Sequence, residues 1–309
     1  MKLFLIDGSS YFYRAYHAIR GLSNSKGLPT NAIYGFTNML LKIIREKKPD
    51  AIAVVFDSPV PTERHRIYEE YKAQRPETPN DLVLQIPYIK EVIKSFNIVS
   101  FEMPGCEADD IICTIAKKAA SQNIDQNIDV FILSGDKDMM QVIGNGIKIY
   151  DPMKDLIIDE NYVKERFGVT PERIPEIMAI AGDAVDNIPG VKGIGEKTAR
   201  EILSKTGSLE ELLLHPERIE NERLRKMIKE NIETIKVSFA LATINTDIPL
   251  NIDMNGLKIK EPDWPQLLRL FTEFEFKSLI KLIPSGGYKP RGKYRTIKDK
   301  DELMRLLGI

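Results

Sequence analysis

The sequence predicts an α/β protein with a mostly parallel central sheet, flanking helices and a helical C-terminal region. Two observations predict the sheet. Short apolar runs at 3–6, 51–56, 98–103 and 130–133 alternate with helical segments through residues 1–150, the pattern of parallel strands joined by right-handed crossovers. An acid or acidic cluster follows each run: Asp7, Asp57, Glu107 with Asp109 and Asp110, and Asp136 with Asp138. A third observation predicts the rest: beyond residue 150 the pattern becomes helical, broken by a glycine-rich turn at 190–195.

Residues 3–6 read as the first strand, with Gly8-Ser9-Ser10 as a turn and Ser9 or Ser10 capping a helix that carries Tyr11 to Tyr16. A helix over 30–46 keeps Ile33, Phe36, Leu40 and Ile43 on one face, and 51–56 is the second strand. From Ser58 to Asn80 prolines, charges and aromatics replace apolar periodicity. This stretch reads as a long, partly helical, mobile excursion from the sheet edge, where loops are disproportionately functional. A helix at 81–96, a strand at 98–103, a helix at 107–122 and the strand at 130–133 complete the alternation. Residues 147–150 add an edge strand. Helices follow at 160–167, 171–181, 208–242 and 264–282, with a short strand at 240–246. The expected division is a core over 1–170 with its excursion at 58–80, a helical subdomain over 171–284, and a Gly/Pro/Lys linker leading into a truncated further element over 285–309.

Composition narrows the class. A chain of 309 residues, 43% hydrophobic and 29% charged, can bury a substantial core. It has no apolar run long enough for a membrane span, and Asp7 interrupts the N-terminal stretch where a signal peptide would need to stay apolar. Two cysteines and three scattered histidines supply neither a disulfide framework nor a His/Cys metal site, and a cytoplasmic setting is expected. The net charge of −1 conceals local Lys/Arg enrichment at 61–75, 192–205, 223–236 and 277–300.

The motifs carry the chemistry. In Ser134-Gly135-Asp136-Lys137-Asp138 the turn after a strand delivers two carboxylates to the sheet edge where α/β proteins bind ligands, and paired carboxylates cradle hard divalent cations. A solvated acidic turn explains one such motif, but not its recurrence after successive strands. Glu107-Ala108-Asp109-Asp110 opens a helix, and capping needs only one of its three acids. Asp183 and Asp186 share a face if their segment is helical. Gly190-Val191-Lys192-Gly193-Ile194-Gly195, with Lys197 beyond, reads as a hairpin between two helices whose N–H groups and helix dipole suit a phosphate. No strand precedes it, which excludes a dinucleotide-binding fingerprint. Arg64, Tyr71, Lys72 and Arg75 interleave charge with aromatic surface, as binding a single strand requires.

Taken together, Ile6-Asp7-Gly8-Ser9-Ser10-Tyr11 with Arg14, Val55-Phe56-Asp57, Tyr71-Lys72-Ala73-Gln74-Arg75, the acidic clusters and Gly182 through Ala199 resemble the 5′-nuclease domain of bacterial DNA polymerase I, in the flap endonuclease superfamily. The likeness runs in the family's order over about 1–285. It implies a PIN-like, resolvase-like core, a helical arch and a C-terminal helix-hairpin-helix subdomain. It implies that Asp7, Asp57, Glu107, Asp109 and Asp110 hold a first metal ion, and Asp136, Asp138, Asp183 and Asp186 a second, partly through water. Mg2+ or Mn2+ suits such oxygen ligands, and two-metal hydrolysis needs no protein nucleophile. By the same resemblance Lys72 and Arg75 act on the scissile phosphate, Tyr71 stacks on a nucleotide, and Arg14 and Arg64 are further substrate contacts. The hairpin at 190–195 would grip duplex backbone, with K+ at its carbonyls. The implied partners are duplex DNA with a 5′ flap or nick and RNA primer–DNA hybrids. The protein is expected to be a monomer, with a polymerase covalently linked in a full-length form. Tyr294-Arg295-Thr296-Ile297 resembles the start of a proofreading domain. The competing readings are a PIN-type ribonuclease, which would lack the basic arch and hairpin, and a non-catalytic DNA-binding module with merely superficial acids.

Overall fold

A computed structural model describes residues 1–121 and 128–284; the expected linker and further element at 285–309 lie outside the described residues. Six strands form one sheet in the order β3-β2-β1-β4-β5-β6. In chain order they are β1 (Lys2–Asp7), β2 (Ala51–Val55), β3 (Val99–Phe101), β4 (Asp129–Leu133), β5 (Ile147–Asp151) and β6 (Leu156–Ile158). The first five are parallel, and β6 turns back antiparallel on β5. β6 has no counterpart in the sequence reading, because three residues are too few to show a period.

The strand order reverses at β1, which pairs with β2 on one side and β4 on the other. Crevices at such switch points, beyond the carboxyl ends of the strands, are where open α/β sheets bind ligands. β1 is buried on both faces: Leu3 and Leu5 point into one apolar cluster, Phe4 and Ile6 into the other, as the two-residue strand repeat requires.

Helices α1 (Gly8–Ala18), α2 (Asn31–Lys47), α3 (Glu63–Ile67), α4 (Asn80–Val83), α5 (Ile86–Ser95) and α6 (Ala108–Ser121) are interleaved with the strands. Helix α1 begins immediately after β1. Its cap is Asp7, whose carboxylate accepts from Ser10 N–H, rather than Ser9 or Ser10. The chain continues through α7 (Glu160–Phe167), α8 (Ile174–Ala181), α9 (Glu196–Thr206), α10 (Leu209–Leu214), α11 (Glu222–Glu230), α12 (Ile232–Ala242), α13 (Trp264–Glu273) and α14 (Lys277–Ile280).

Two expectations need correction here. The short strand at 240–246 does not form, because α12 runs to Ala242 and Asn245 then donates to Asp110. Nor does the C-terminal part stay with the hairpin helices. Ile52 N–H donates to Leu257 O, Ile259 N–H donates to Asp50 O, and Leu267, Leu270 and Phe271 join the cluster under α2 and α5. Residues 257–280 therefore pack on the sheet, where Leu267, Leu270 and Phe271 are buried. No helix among the described residues is long and apolar enough to cross a membrane.

Candidate active site

The acids converge on the switch-point crevice from separate elements. Asp7 ends β1, Asp57 follows β2, Glu107 and Asp109 stand at the start of α6, and Asp136 and Asp138 leave β4. Ser9 Oγ accepts from Asp57 N–H, and Asp57 accepts from Ala108 N–H at 2.8 Å, so β2 and α6 are tied through one carboxylate. Ser134 Oγ donates to Asp7 and accepts from Asp136 N–H, joining β1 to β4 in the same way.

Asp183 and Asp186 arrive by a route the sequence reading did not anticipate. Helix α8 stops at Ala181, and Gly182 takes φ +74°, so the pair lies on a tight turn rather than a helix face. Reciprocal bonds between Asp183 and Ile188 close the turn, and the Asp183 carboxylate accepts from Val185 and Asp186 N–H. A Cβ on Gly190 would lie 2.2 Å from Gly182 N, so the hairpin and the acid-bearing turn pack through backbone alone.

Crowding shows in the protonation equilibria. Burial, together with Asp57 and Asp136, pushes the Asp7 carboxyl up to about 7. Burial and neighbouring carboxylates also raise Asp109, Asp136 and Asp138. Asp138 Oδ1 is buried with no hydrogen-bond partner among the described residues. Cations of the protein face the other acids. Lys72 Nζ donates to Glu107 at 2.7 Å and stands 3.5 Å from Asp186. Arg75 binds Asp186 at 2.6 Å, and Lys137 binds Asp183 at 2.5 Å. Burial alone would lower the Lys72 ammonium; Glu107 and Asp186 more than reverse that and raise it. Glu107 is correspondingly held below the usual range, its burial outweighed by Lys72 and Arg64.

The nine acids are accordingly not one preassembled chelating group. Among the described residues, no three carboxylates stand close enough to share one ion. Lys72, Arg75 and Lys137, paired with Glu107, Asp186 and Asp183, offset part of their mutual repulsion.

Several residues sit elsewhere than expected. Asp110 is closed off from the crevice: Arg64 binds both its oxygens at 2.8 Å, and Asn245 N–H adds a third bond. Arg64 is 8% exposed and also donates to the carbonyls of Leu241 and Thr243, so in this arrangement it reaches no substrate. Tyr71 is 3% exposed, with its hydroxyl between Glu107 and Asp186 and His65 edge-on to its ring, so no face is open to a base. The 58–80 stretch is thus held down by specific bonds rather than loose. Arg14 lies beside Gly135, and its Nη1 is buried without a hydrogen-bond partner among the described residues. In the hairpin the N–H groups of Gly190, Val191 and Ile194 bond to Ser238, Ile180 and Val191, whereas Gly193, Gly195 and Lys197 are exposed. Sequence reasoning missed Thr62, which donates to Glu107, and Lys137. The lysine sat in plain view between two acids, a position that carries its own signal.

An acid-lined crevice at a sheet switch point, flanked by a basic segment and a helical hairpin, defines a nuclease. The chain belongs to the 5′-3′ exonuclease family. The family model for its N-terminal resolvase-like domain matches residues 2–168, and that for its C-terminal SAM fold matches 169–265. A 5′-3′ exonuclease of Aquifex aeolicus is 43% identical over 279 residues, 90% of this chain and 94% of that relative. A DNA polymerase I of Caldicellulosiruptor bescii is 40% identical over 91% of this chain but 33% of its own length, so the chain spans about a third of that enzyme. Among solved structures, T5 5′-exonuclease with bound zinc shares the fold at a TM-score of 0.65 and 19% identity, covering 92% of this chain and 99% of that one. The catalytic core of Rad2 in complex with DNA substrate does so at 0.63 and 18%, covering 92% of each.

Proposed function

We propose that the chain is a structure-specific 5′ nuclease that hydrolyses DNA and RNA phosphodiesters at 5′ flaps, nicks and primer 5′ ends, with divalent cations as cofactor. The observation that carries this reading is the crowding of carboxylates at the switch point, with Asp7 raised to about 7 and Asp138 Oδ1 buried without a hydrogen-bond partner among the described residues. A donor set of oxygens alone, stressed by mutual repulsion, fits Mg2+ or Mn2+.

Drawn together by the cations, Asp7, Asp57, Glu107 and Asp109 would hold one ion, and Asp136, Asp138, Asp183 and Asp186 the other, partly through water; Asp110 leaves the set because Arg64 closes it. Held there, divalent ions would supply an acidified water and offset charge on the phosphoryl oxygens. Lys72 and Arg75, exchanging Glu107 and Asp186 for the scissile phosphate, would donate to its oxygens as negative charge develops. Arg14 would take a neighbouring phosphate with its unpartnered Nη1. Gly193, Gly195 and Lys197, which face solvent, would hold duplex backbone and set register without reading bases; K+ at the hairpin would strengthen that grip. The partners are flapped or nicked duplex DNA and primer hybrids, bound by a monomer in the cytoplasm, with a polymerase linked in longer forms. We also propose the functional division into 1–170 and 171–284, less the 257–280 stretch that packs on the sheet.

The test is a 5′-labelled flap duplex in Mg2+. Cutting at the flap junction, with a blunt duplex left intact, is expected; cutting of single strands without regard to the junction would favour the ribonuclease-like reading.

A further inference from the structure

The basic segment reaches the acids because it is bolted to the turn that carries two of them. Asn187 Nδ2 donates to Glu70 O at 2.7 Å, and Lys72 N–H donates to Asp186 O at 3.0 Å. Gln74 Nε2 donates to Ala184 O. These bonds fix the backbone on both sides of Lys72, which itself takes φ +55°, a conformation an L residue keeps only when its surroundings impose it. The bolt has a firm base. The 183–188 turn is closed by its own backbone pair and lies against Gly190 of the hairpin. Asn187 sits at φ +56°, a left-handed conformation that asparagine and glycine tolerate.

We infer that Asn187 is a positioning residue for cleavage: its amide clamps the Glu70 carbonyl and so aims Lys72 into the crevice. Its amide donates to the Glu70 carbonyl, whereas its neighbour Asp186 accepts from Arg75. The clamp makes the arch and the hairpin subdomain one mechanical unit at the point where phosphate must be met. The inference rests on the reading of Lys72 as a phosphate contact.

The test is a double-mutant cycle on the full chain with the 5′-flap duplex. Asn187→Gly keeps the left-handed backbone and removes the amide. Its single-turnover rate in Mg2+ should fall roughly ten- to hundredfold, the scale of a small misplacement of a catalytic group. Binding of a nicked duplex in Ca2+ should be unchanged. Lys72→Ala with Asn187→Gly should be no slower than Lys72→Ala alone, because the clamp acts through the lysine. Asn187→Asp, which puts a carboxylate against the Glu70 carbonyl, should reproduce the loss and replaces the glycine variant should that one melt early. A wild-type rate in both variants, an additive double mutant, or a loss confined to binding would overturn the inference. If Lys72→Ala itself cut at the wild-type rate, the phosphate-contact reading would fail and take the inference with it. A slow Lys72→Ala beside a fast Asn187→Gly would remove the inference alone.

Discussion

At the scale of single residues, Asp7 does two jobs that pull against each other. Its carboxylate caps α1 through Ser10, which favours the ionised form, yet burial beside Asp57 and Asp136 pushes its pKa up to about 7. The unfolded chain releases that proton near the ordinary value of 3.8. Between those two values the folded state holds a proton that the unfolded state lacks, so stability falls as pH rises, by on the order of 1.4 kcal/mol per pH unit for one such group. Its neighbours share the titration, so the slope belongs to the cluster. Asparagine caps helices as well as aspartate. Asp7→Asn should therefore raise the melting temperature at pH 7.5 in EDTA and flatten its decline between pH 5 and 7.5, as read by thermal scans. A lower melting temperature would show that the repulsion does not govern this position.

At the scale of elements, Arg64 and Asp110 join three pieces: α3 of the arch, the start of α6, and the chain leaving α12. Removing one partner of such a buried pair typically costs about 3–5 kcal/mol, because the other charge is left uncompensated. Asp110→Asn should therefore lower the melting temperature by on the order of 10 °C while leaving the Mg2+ midpoint for cleavage unchanged. A shifted Mg2+ midpoint at unchanged stability would return Asp110 to the metal set. The sequence could not separate Asp110 from Asp109, because adjacency on a helix says nothing about which acid faces Arg64, a partner 46 positions away. Strands β1, β2 and β4 were legible because burial on both faces leaves nearly unbroken apolar runs. The turn at 183–188 was not, since its path is set by Gly182 meeting Gly190 rather than by any local period.

At the scale of the whole molecule, the acids announced themselves by recurring after successive strands, whereas the strand order that gathers them is one of several that parallel pairing with right-handed crossovers allows. Two things lay beyond reach of the sequence: the return of residues 257–280 to the sheet, and the basic arch lying clasped on the acids. Both depend on which distant surface offers a complement. The clasp has a physical logic: Lys72, Arg75 and Lys137 offset part of a repulsion that would otherwise open the crevice.

The central claim is that these carboxylates perform the chemistry, whereas the arch and hairpin hold the substrate. Wild type and Asp136→Ala should be compared on the labelled flap duplex, with cleavage followed in Mg2+ and binding in Ca2+. Junction cleavage by the wild type is expected, lost by several orders of magnitude in Asp136→Ala, with closely similar binding by both. Tight binding without cleavage by the wild type in either Mg2+ or Mn2+, or an Asp136→Ala variant that still cuts at the wild-type rate, would contradict it.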